Sequence, residues 1–344
     1  MSTAQALRLE YVAASESQLD QGQGVLGAAA FDDGARTLRG GKLDFPLAHV
    51  HTPVLGDARE MLEVWRAGGR AQPGSHGRVS YAWGGDFLFG SLAVHEAELT
   101  SIAGSGAATL LERATGLAYR EMYAALAAAG NPQLVRVWNY IPDINLDTHG
   151  LERYRQFNKA RHEASVACGR VVAGSVPAAS ALGGAAGSPL TMYFLASRRT
   201  PAFIENPRQV SAYRYPTQYG PRSPAFSRAT VLGEAGEAML FVSGTASIVG
   251  HRTLHAGHPA AQTRETLANI EALLNEAARR TGTGTLRLET LAYKVYVRDP
   301  NDMPAIRAEL ESALGAEAAV LYLKADICRR DLAVEIEAVG GLAA

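Results

Sequence analysis

"LAYKVYVRDPNDMPAIRAELESALG", residues 291–315, changes its periodicity at a proline. Its first half is a run of β-branched and aromatic residues ended by Asp299-Pro300, which reads as a strand. Its second half opens on an Asn or Asp suited to capping and then repeats Ile306, Leu310 and Leu314 at helical spacing. A strand running into an amphipathic helix is the kernel of a β-α-β unit. Just upstream, "PAAQTRETLANIEALLNEAARRTG" (259–282) places Leu267, Ile270, Leu273, Leu274 and Ala277 on one stripe, with Gly282 as a stop. Downstream, "AAVLYLKAD" (318–326) and "DLAVEIEAV" (331–339) read as two further strands. The C-terminal part is therefore expected to contain β-α-β-α-β.

The same order recurs earlier in the chain. "TGLAYREMYAALAAAG" (115–130) carries Ala118, Met122 and Leu126 on one helical stripe, "QLVRVWNYIPDIN" (133–145) reads as a strand with a Pro-Asp turn, and "LERYRQFNKARHEAS" (151–165) as a helix. The parallel between "VRVWNYIPD" and "LAYKVYVRD", each between two helices, points to an internal duplication. Between the copies lie a small-residue run, "SVPAASALGGAAGSP" (175–189), and "ENPRQVSAYRYPTQYGPRSPAFSRA" (205–229), which is too rich in Pro for regular structure. Long irregular segments inside compact domains tend to be functional. This one carries Tyr213, Tyr215, Tyr219 and Phe226, so it is expected to line a site rather than act as a tether. The domain boundary is placed near 195–210, giving an N-terminal domain over 1–200 and a C-terminal one over 201–344.

At 344 residues, two domains of ordinary size are expected. Hydrophobic content of 47% and charged content of 19% exclude wholesale disorder, and a net charge of −1 leaves no electrostatic footprint for nucleic acid or membrane. No run approaches the roughly 18 apolar residues of a membrane span, and no basic region precedes an apolar stretch at the N-terminus, so a cytoplasmic protein is expected. Two cysteines, Cys168 and Cys328, are too few for a disulfide framework or a four-ligand metal site.

The strand "DLAVEIEAV" raises a chemical question. Alternation sends Leu332, Val334 and Ile336 to one face and Glu335 and Glu337 to the other. The ordinary interpretation is an edge strand with solvated acids. On a buried strand, however, a carboxyl near a second acid is pushed towards neutrality and becomes a general acid. The helix "RYRQFNKAR" puts Tyr154, Phe157 and Arg161 on one face; either the aromatics pack while Arg161 reaches solvent, or the face binds ligand. Taken with the Tyr213–Arg228 stretch, these guanidinium forks and phenols suit a small aromatic-sized dianion. His49-x-His51 and the His251, His255, His258 group lack Cys or acidic neighbours at metal spacing, and no P-loop or dinucleotide fingerprint is present, so no metal and no cofactor are expected. "SGTAS" (243–247) is either a hydroxyl-rich ligand contact or only a turn.

From about residue 239 to 338, "LFVSGTASIVG", "QTRETLANIEALL", "YKVYVRDPND" and "VEIEA" resemble the RidA (YjgF) superfamily, whose fold is α+β and chorismate-mutase-like. Across residues 136–337, "RVWNYIPDIN", "RYRQFNKAR", "AYRYPTQYGPRSPAFSRA", "SGTASIVGH" and "ADICRRDLAVEIE" more specifically resemble the chorismatases, a family of chorismate hydrolases and hydroxybenzoate synthases. The resemblance implies two RidA-like halves, mixed β-sheets with helices packed on one face, and a pocket near their interface roofed by residues 205–229. It implies chorismate as a small-molecule partner, Glu335 as catalytic acid, and substrate contacts at Tyr154, Arg161, Tyr213, Arg222 and Arg228. Glu337 is expected to be a structural group bonded elsewhere, the alternative being a second acid that raises the first. Cys328 resembles the benzoate-forming members, and Ala246 the purely hydrolytic ones. Pyruvate with 3-hydroxybenzoate, 4-hydroxybenzoate or both is the expected outcome. The alternatives are hydrolysis to the dihydroxycyclohexadiene carboxylate, imine deamination, pteridine-linked deoxygenation, or silent ligand binding. Monomer and homotrimer are both compatible with a duplicated chain.

Overall fold

In the computed structural model, residues 7–13, 24–32, 43–58, 60–100, 108–233, 237–282, 284 and 286–342 are described. The N-terminal strands β1 (Arg8–Ala13), β2 (Val25–Asp32), β3 (Leu47–His51) and β4 (Met61–Arg66) form a sheet in the order β1-β4-β2-β3. Next come β5 (Gln72–His76), β6 (Val79–Gly84), β7 (Phe87–Val94), α1 (Leu110–Ala128), β8 (Gln133–Pro142), the short pair β9 (Asp147–Thr148) and β10 (Leu151–Glu152), α2 (Arg153–Ala167), β11 (Ala178–Gly184) and β12 (Leu190–Ser197). The remainder comprises β13 (Ala202–Ile204), β14 (Ala229–Leu232), β15 (Met239–Ala246), the short pair β16 (Ile248–Val249) and β17 (Arg252–Thr253), α3 (Pro259–Thr281), β18 (Ala292–Val297), α4 (Met303–Leu314), β19 (Val320–Lys324) and β20 (Val334–Gly340).

The duplication is visible in the sheet orders. The first unit reads β5-β6-β7-β12-β8-β11 across its sheet, and the second reads β13-β14-β15-β20-β18-β19. Each is a meander of three strands followed by α-β-α-β-β, with one parallel pair (β8 with β11, β18 with β19) and the last strand inserted between the third and fourth. "VRVWNYIPD" and "LAYKVYVRD" supply β8 and β18, which hold equivalent positions. The class is α+β, with two helices on one face of each six-stranded sheet. The small-residue run at 175–189 is not a connection between copies: it forms β11 and the turn into β12. Its Ala and Ser side chains let the second unit approach closely, with Ala178 N–H donating to Thr230 Oγ1 (2.9 Å) and Ala179 N–H to Ser243 Oγ (2.9 Å).

The faces opposite the helices meet in a central layer of large aromatics from all three sheets, among them Trp65, Trp138, Tyr193, Phe241 and Tyr296. Trp138 and Tyr193 stack with ring centroids 4.6 Å apart. This layer explains β20. Val334, Ile336 and Ala338 pack under α3 and α4, while Glu335, Glu337 and Val339 point into the space between the units. The strand is central, hydrogen-bonded to β15 and β18, so the solvated-edge interpretation of its acids does not hold. Leu332 lies before the strand and packs with Ala246, Ile248 and Ile327 instead of continuing the Val334–Ile336 face. The cap near residue 300 is Asp299, whose side chain accepts from Asn301 N–H at the 3-10 turn preceding α4. No helix among the described residues is long and apolar enough to cross a membrane.

Candidate active site

A cavity of about 420 Å³ opens where the two units meet. That volume falls in the range of small-molecule sites. One wall comes from the β9–α2 region (Asp147, Glu152, Tyr154, Arg155), another from the 205–229 segment (Tyr215, Tyr219, Pro224, Phe226, Arg228), a third from β15 and β16 (Gly244, Ala246, Ile248), and the last from Cys328, Arg329, Arg330 and Glu335. A narrow recess shares Tyr154, Phe226, Gly244, Cys328 and Glu335 and adds Arg161 and residues 179–181 of β11.

Glu335 reaches the cavity because β15 is irregular. The β15–β20 register shifts between Val242 and Thr245, and this releases Gly244 from the ladder. Its N–H donates instead to Ser180 Oγ at 3.0 Å. A Cβ at Gly244 would stand 1.9 Å from Glu335 Oε1, so the carboxyl occupies the space that only glycine leaves open. Glu335 is 4% exposed. Burial, and next the charge of Glu337, push its carboxyl up to about 8, against smaller downward pulls from Arg136, the Cys328 thiol and Arg298. Cys328 Sγ lies 3.8 Å from Glu335 Oε2, and burial followed by the Glu335 charge holds this thiol well above its ordinary range.

Glu337, two residues on, sits in a different environment. It forms an ion pair with Arg136, accepts from Trp138 Nε1 (2.8 Å), Ser180 Oγ (2.9 Å) and the Tyr296 hydroxyl, and has Lys294 Nζ 3.1 Å away. Burial alone would raise its carboxyl, but Lys294 and Arg136 override that and hold it below the usual value. One acid is thus held neutral and its neighbour ionised.

Arg161 does not reach solvent. It is buried, stacks over Phe157 (5.1 Å), and donates through Nη2 to Asn158 Oδ1 (2.7 Å), leaving its buried Nε without a partner. Arg228 is also buried, bonding Val210 O (2.9 Å) and the Tyr215 hydroxyl (2.8 Å). Arg329 stacks over Tyr219 at 4.3 Å. None of these three forms a salt bridge with a described carboxylate, although Glu205 lies near enough to Arg228 to feel its charge. Arg155 and Arg330 are instead paired with Glu152 (3.3 Å) and Asp147 (2.6 Å). The cavity therefore offers an anion several guanidinium groups not engaged in salt bridges, beside phenols and an apolar wall.

Among the residues singled out from sequence, Tyr154, Arg161, Arg228, Ala246, Cys328 and Glu335 come together here. Tyr213 and Arg222 do not: Arg222 is exposed, and Tyr213 lies on a 3-10 turn (Ala212–Arg214) outside the lining. Tyr215 and Tyr219 supply the phenols. Gly244, Ser180 and Arg329 were not foreseen; only the glycine inside a strand pattern in "SGTAS" carried a detectable signal.

Residues 63–196 match the family described as chorismatase FkbO/Hyg5-like, N-terminal. A chorismatase of Streptomyces rapamycinicus is 40% identical over 86% of this chain and 86% of its own. The chain belongs to the chorismatase family. A 3-hydroxybenzoate synthase of Streptomyces hygroscopicus is 39% identical over 83% of each chain. A chorismatase crystal structure, 34% identical, covers 98% of this chain and 99% of its own with a TM-score of 0.86. In this chorismatase-family chain α2 and β11 fall within the matched segment, and their side chains form one side of the site.

Proposed function

We propose that this protein cleaves the enolpyruvyl ether of chorismate, releasing pyruvate and a hydroxybenzoate. The observation that carries the proposal is the buried, neutral carboxyl of Glu335 at the floor of a cavity lined by unpaired Arg and by Tyr. Chorismate is a compact dianion, with one carboxylate on its ring and one on its side chain. Arg161, Arg228 and Arg329 supply donors for both ends, with Tyr154, Tyr215 and Phe226 against the ring.

Glu335 gives its proton to the methylene carbon of the vinyl ether, forming a C–H bond and an oxocarbenium ion. Water adds to that cation, and the resulting hemiketal breaks its bond to the ring oxygen to release pyruvate. Loss of the other ring oxygen as water aromatises the ring to 3-hydroxybenzoate. Elimination of the pyruvyl oxygen instead retains the second hydroxyl and gives 4-hydroxybenzoate. The thiol of Cys328 beside the acid, and the 3-hydroxybenzoate synthase among the relatives, favour the benzoate products. Ala246, the partner of Glu335 across the β15–β20 pairing, supports a second reading, hydrolysis that stops at the dihydroxycyclohexadiene carboxylate. We place the activity in the cytoplasm.

The test is to incubate the purified protein with chorismate, follow pyruvate enzymatically and identify the ring product by mass spectrometry. Pyruvate formed in equal amount with hydroxybenzoate is expected. Folded protein that forms no pyruvate would remove the proposal.

A further inference from the structure

Among the described residues, none from the N-terminal sheet lines the cavity, yet β4 sends a carboxylate into the interior behind it. Glu63 on β4 is 1% exposed and forms an ion pair with Lys294 of β18; Trp65 Nε1 and the Tyr193 hydroxyl also donate to it, at 2.8 and 3.1 Å. Lys294, 2% exposed, lies 3.1 Å from Glu337, which is paired on its other side with Arg136. Four buried charges thus run through the molecule as Glu63, Lys294, Glu337 and Arg136, two of each sign. Glu335 is the next acid on the same face of β20. In a balanced interior cluster, a third carboxylate has no cation left to compensate it.

We propose that Glu63 is a positioning residue for the acid: by neutralising Lys294, it leaves the cluster balanced only while Glu335 keeps its proton. This rests on Glu335 being the acid. Without Glu63, Lys294 and Arg136 together face Glu337 alone, and the surplus positive charge draws the proton from Glu335. The remaining groups around Glu335 do not substitute for Glu63. Tyr154, Tyr296 and Cys328 are held protonated by burial, Arg136 and the Asp326-paired Arg298 already pull Glu335 towards ionisation, Arg161, Arg228 and Arg329 are cations lining the cavity or its recess, and Glu152 and Asp147 are paired with Arg155 and Arg330. The buried phenols of Tyr140 and Tyr193 and that of the partly buried Tyr11, which surround Glu63 and Lys294, stay neutral because desolvation disfavours the phenolate.

The experiment reads the Glu335 carboxyl directly, without turnover. Infrared difference spectra of the full-length protein are titrated from about pH 5 to about pH 10, and the protonated-carboxyl band lost in Glu335→Gln is assigned to Glu335. In Glu63→Gln the midpoint of that band should fall by about one pH unit or more. In Lys294→Met, which removes the cation instead, it should rise. A folded Glu63→Gln protein whose midpoint stays or rises overturns the proposal. If that variant does not fold, a Lys294→Met midpoint that stays or falls overturns it. If the midpoints move as stated while the wild type releases no pyruvate from chorismate, the proposed function fails and only the control of Glu335 protonation by Glu63 stands.

Discussion

Replacing Gly244 by alanine is the smallest change that separates the geometry of Glu335 from its chemistry. The new methyl carbon would lie 1.9 Å from Oε1, 2.8 Å from the carboxyl carbon and 3.1 Å from Ser180 Oγ. The carboxyl must retreat by about 1.5 Å to reach ordinary contact distance, and misplacement of a reacting group by even about 1 Å costs on the order of 100-fold in rate. The expected loss in kcat is therefore about 100-fold, or about 2.7 kcal/mol of transition-state stabilisation. The backbone does not resist the change, because Gly244 is not among the residues with positive φ; the stability cost should stay within the roughly 1–3 kcal/mol of local overpacking. Pyruvate release coupled to lactate dehydrogenase measures the rate, and a thermal melt confirms the fold. A folded Gly244→Ala enzyme with near wild-type kcat would refute the placement of the acid.

Four further outcomes are expected. Because the Glu335 carboxyl is pushed up to about 8 in the free protein, kcat/KM should decline as pH rises through about 8, and a pH–rate profile checks this. The same elevation means the native state holds a proton that the unfolded chain releases between about 4.5 and 8, so stability falls as pH rises through that window; Glu335→Gln should be about 2–3 kcal/mol more stable than wild type at pH 7 by urea unfolding. Arg228→Met should raise KM by about 30-fold, corresponding to about 2 kcal/mol, with a smaller effect on kcat. Cys328→Ala should keep pyruvate release within about tenfold of wild type, while chromatography finds the product shifted from hydroxybenzoate towards the dihydroxycyclohexadiene carboxylate.

Elements with strong local periodicity were legible in the sequence. Leu267, Ile270, Leu273 and Leu274 do face the sheet from α3, and the duplicated strands at 135–143 and 291–299 do occupy matching positions. The N-terminal sheet was not legible: β2, "VLGAAAFD", is buried on both faces and made largely of small residues, so neither alternation nor bulk marks it. The acids of β20 were visible as an anomaly, but alternation treats Glu335 and Glu337 alike. What separates them is partners 200 residues away, Arg136 against Glu337, and a bulge in β15 that opens space for Glu335. Tyr213 and Tyr215 look equivalent in a Pro-rich run, and only the tertiary path of residues 205–229 decides which phenol lines the cavity.

The central claim is that Glu335 supplies the proton that begins ether cleavage. Glu335→Gln keeps the size and burial of the side chain and removes only the acid. Single-turnover pyruvate release from chorismate by this variant, with binding followed by equilibrium titration, is the most direct test. The predicted result is retained binding with turnover reduced by about 10²–10⁴-fold. Turnover at a near wild-type rate would contradict the account.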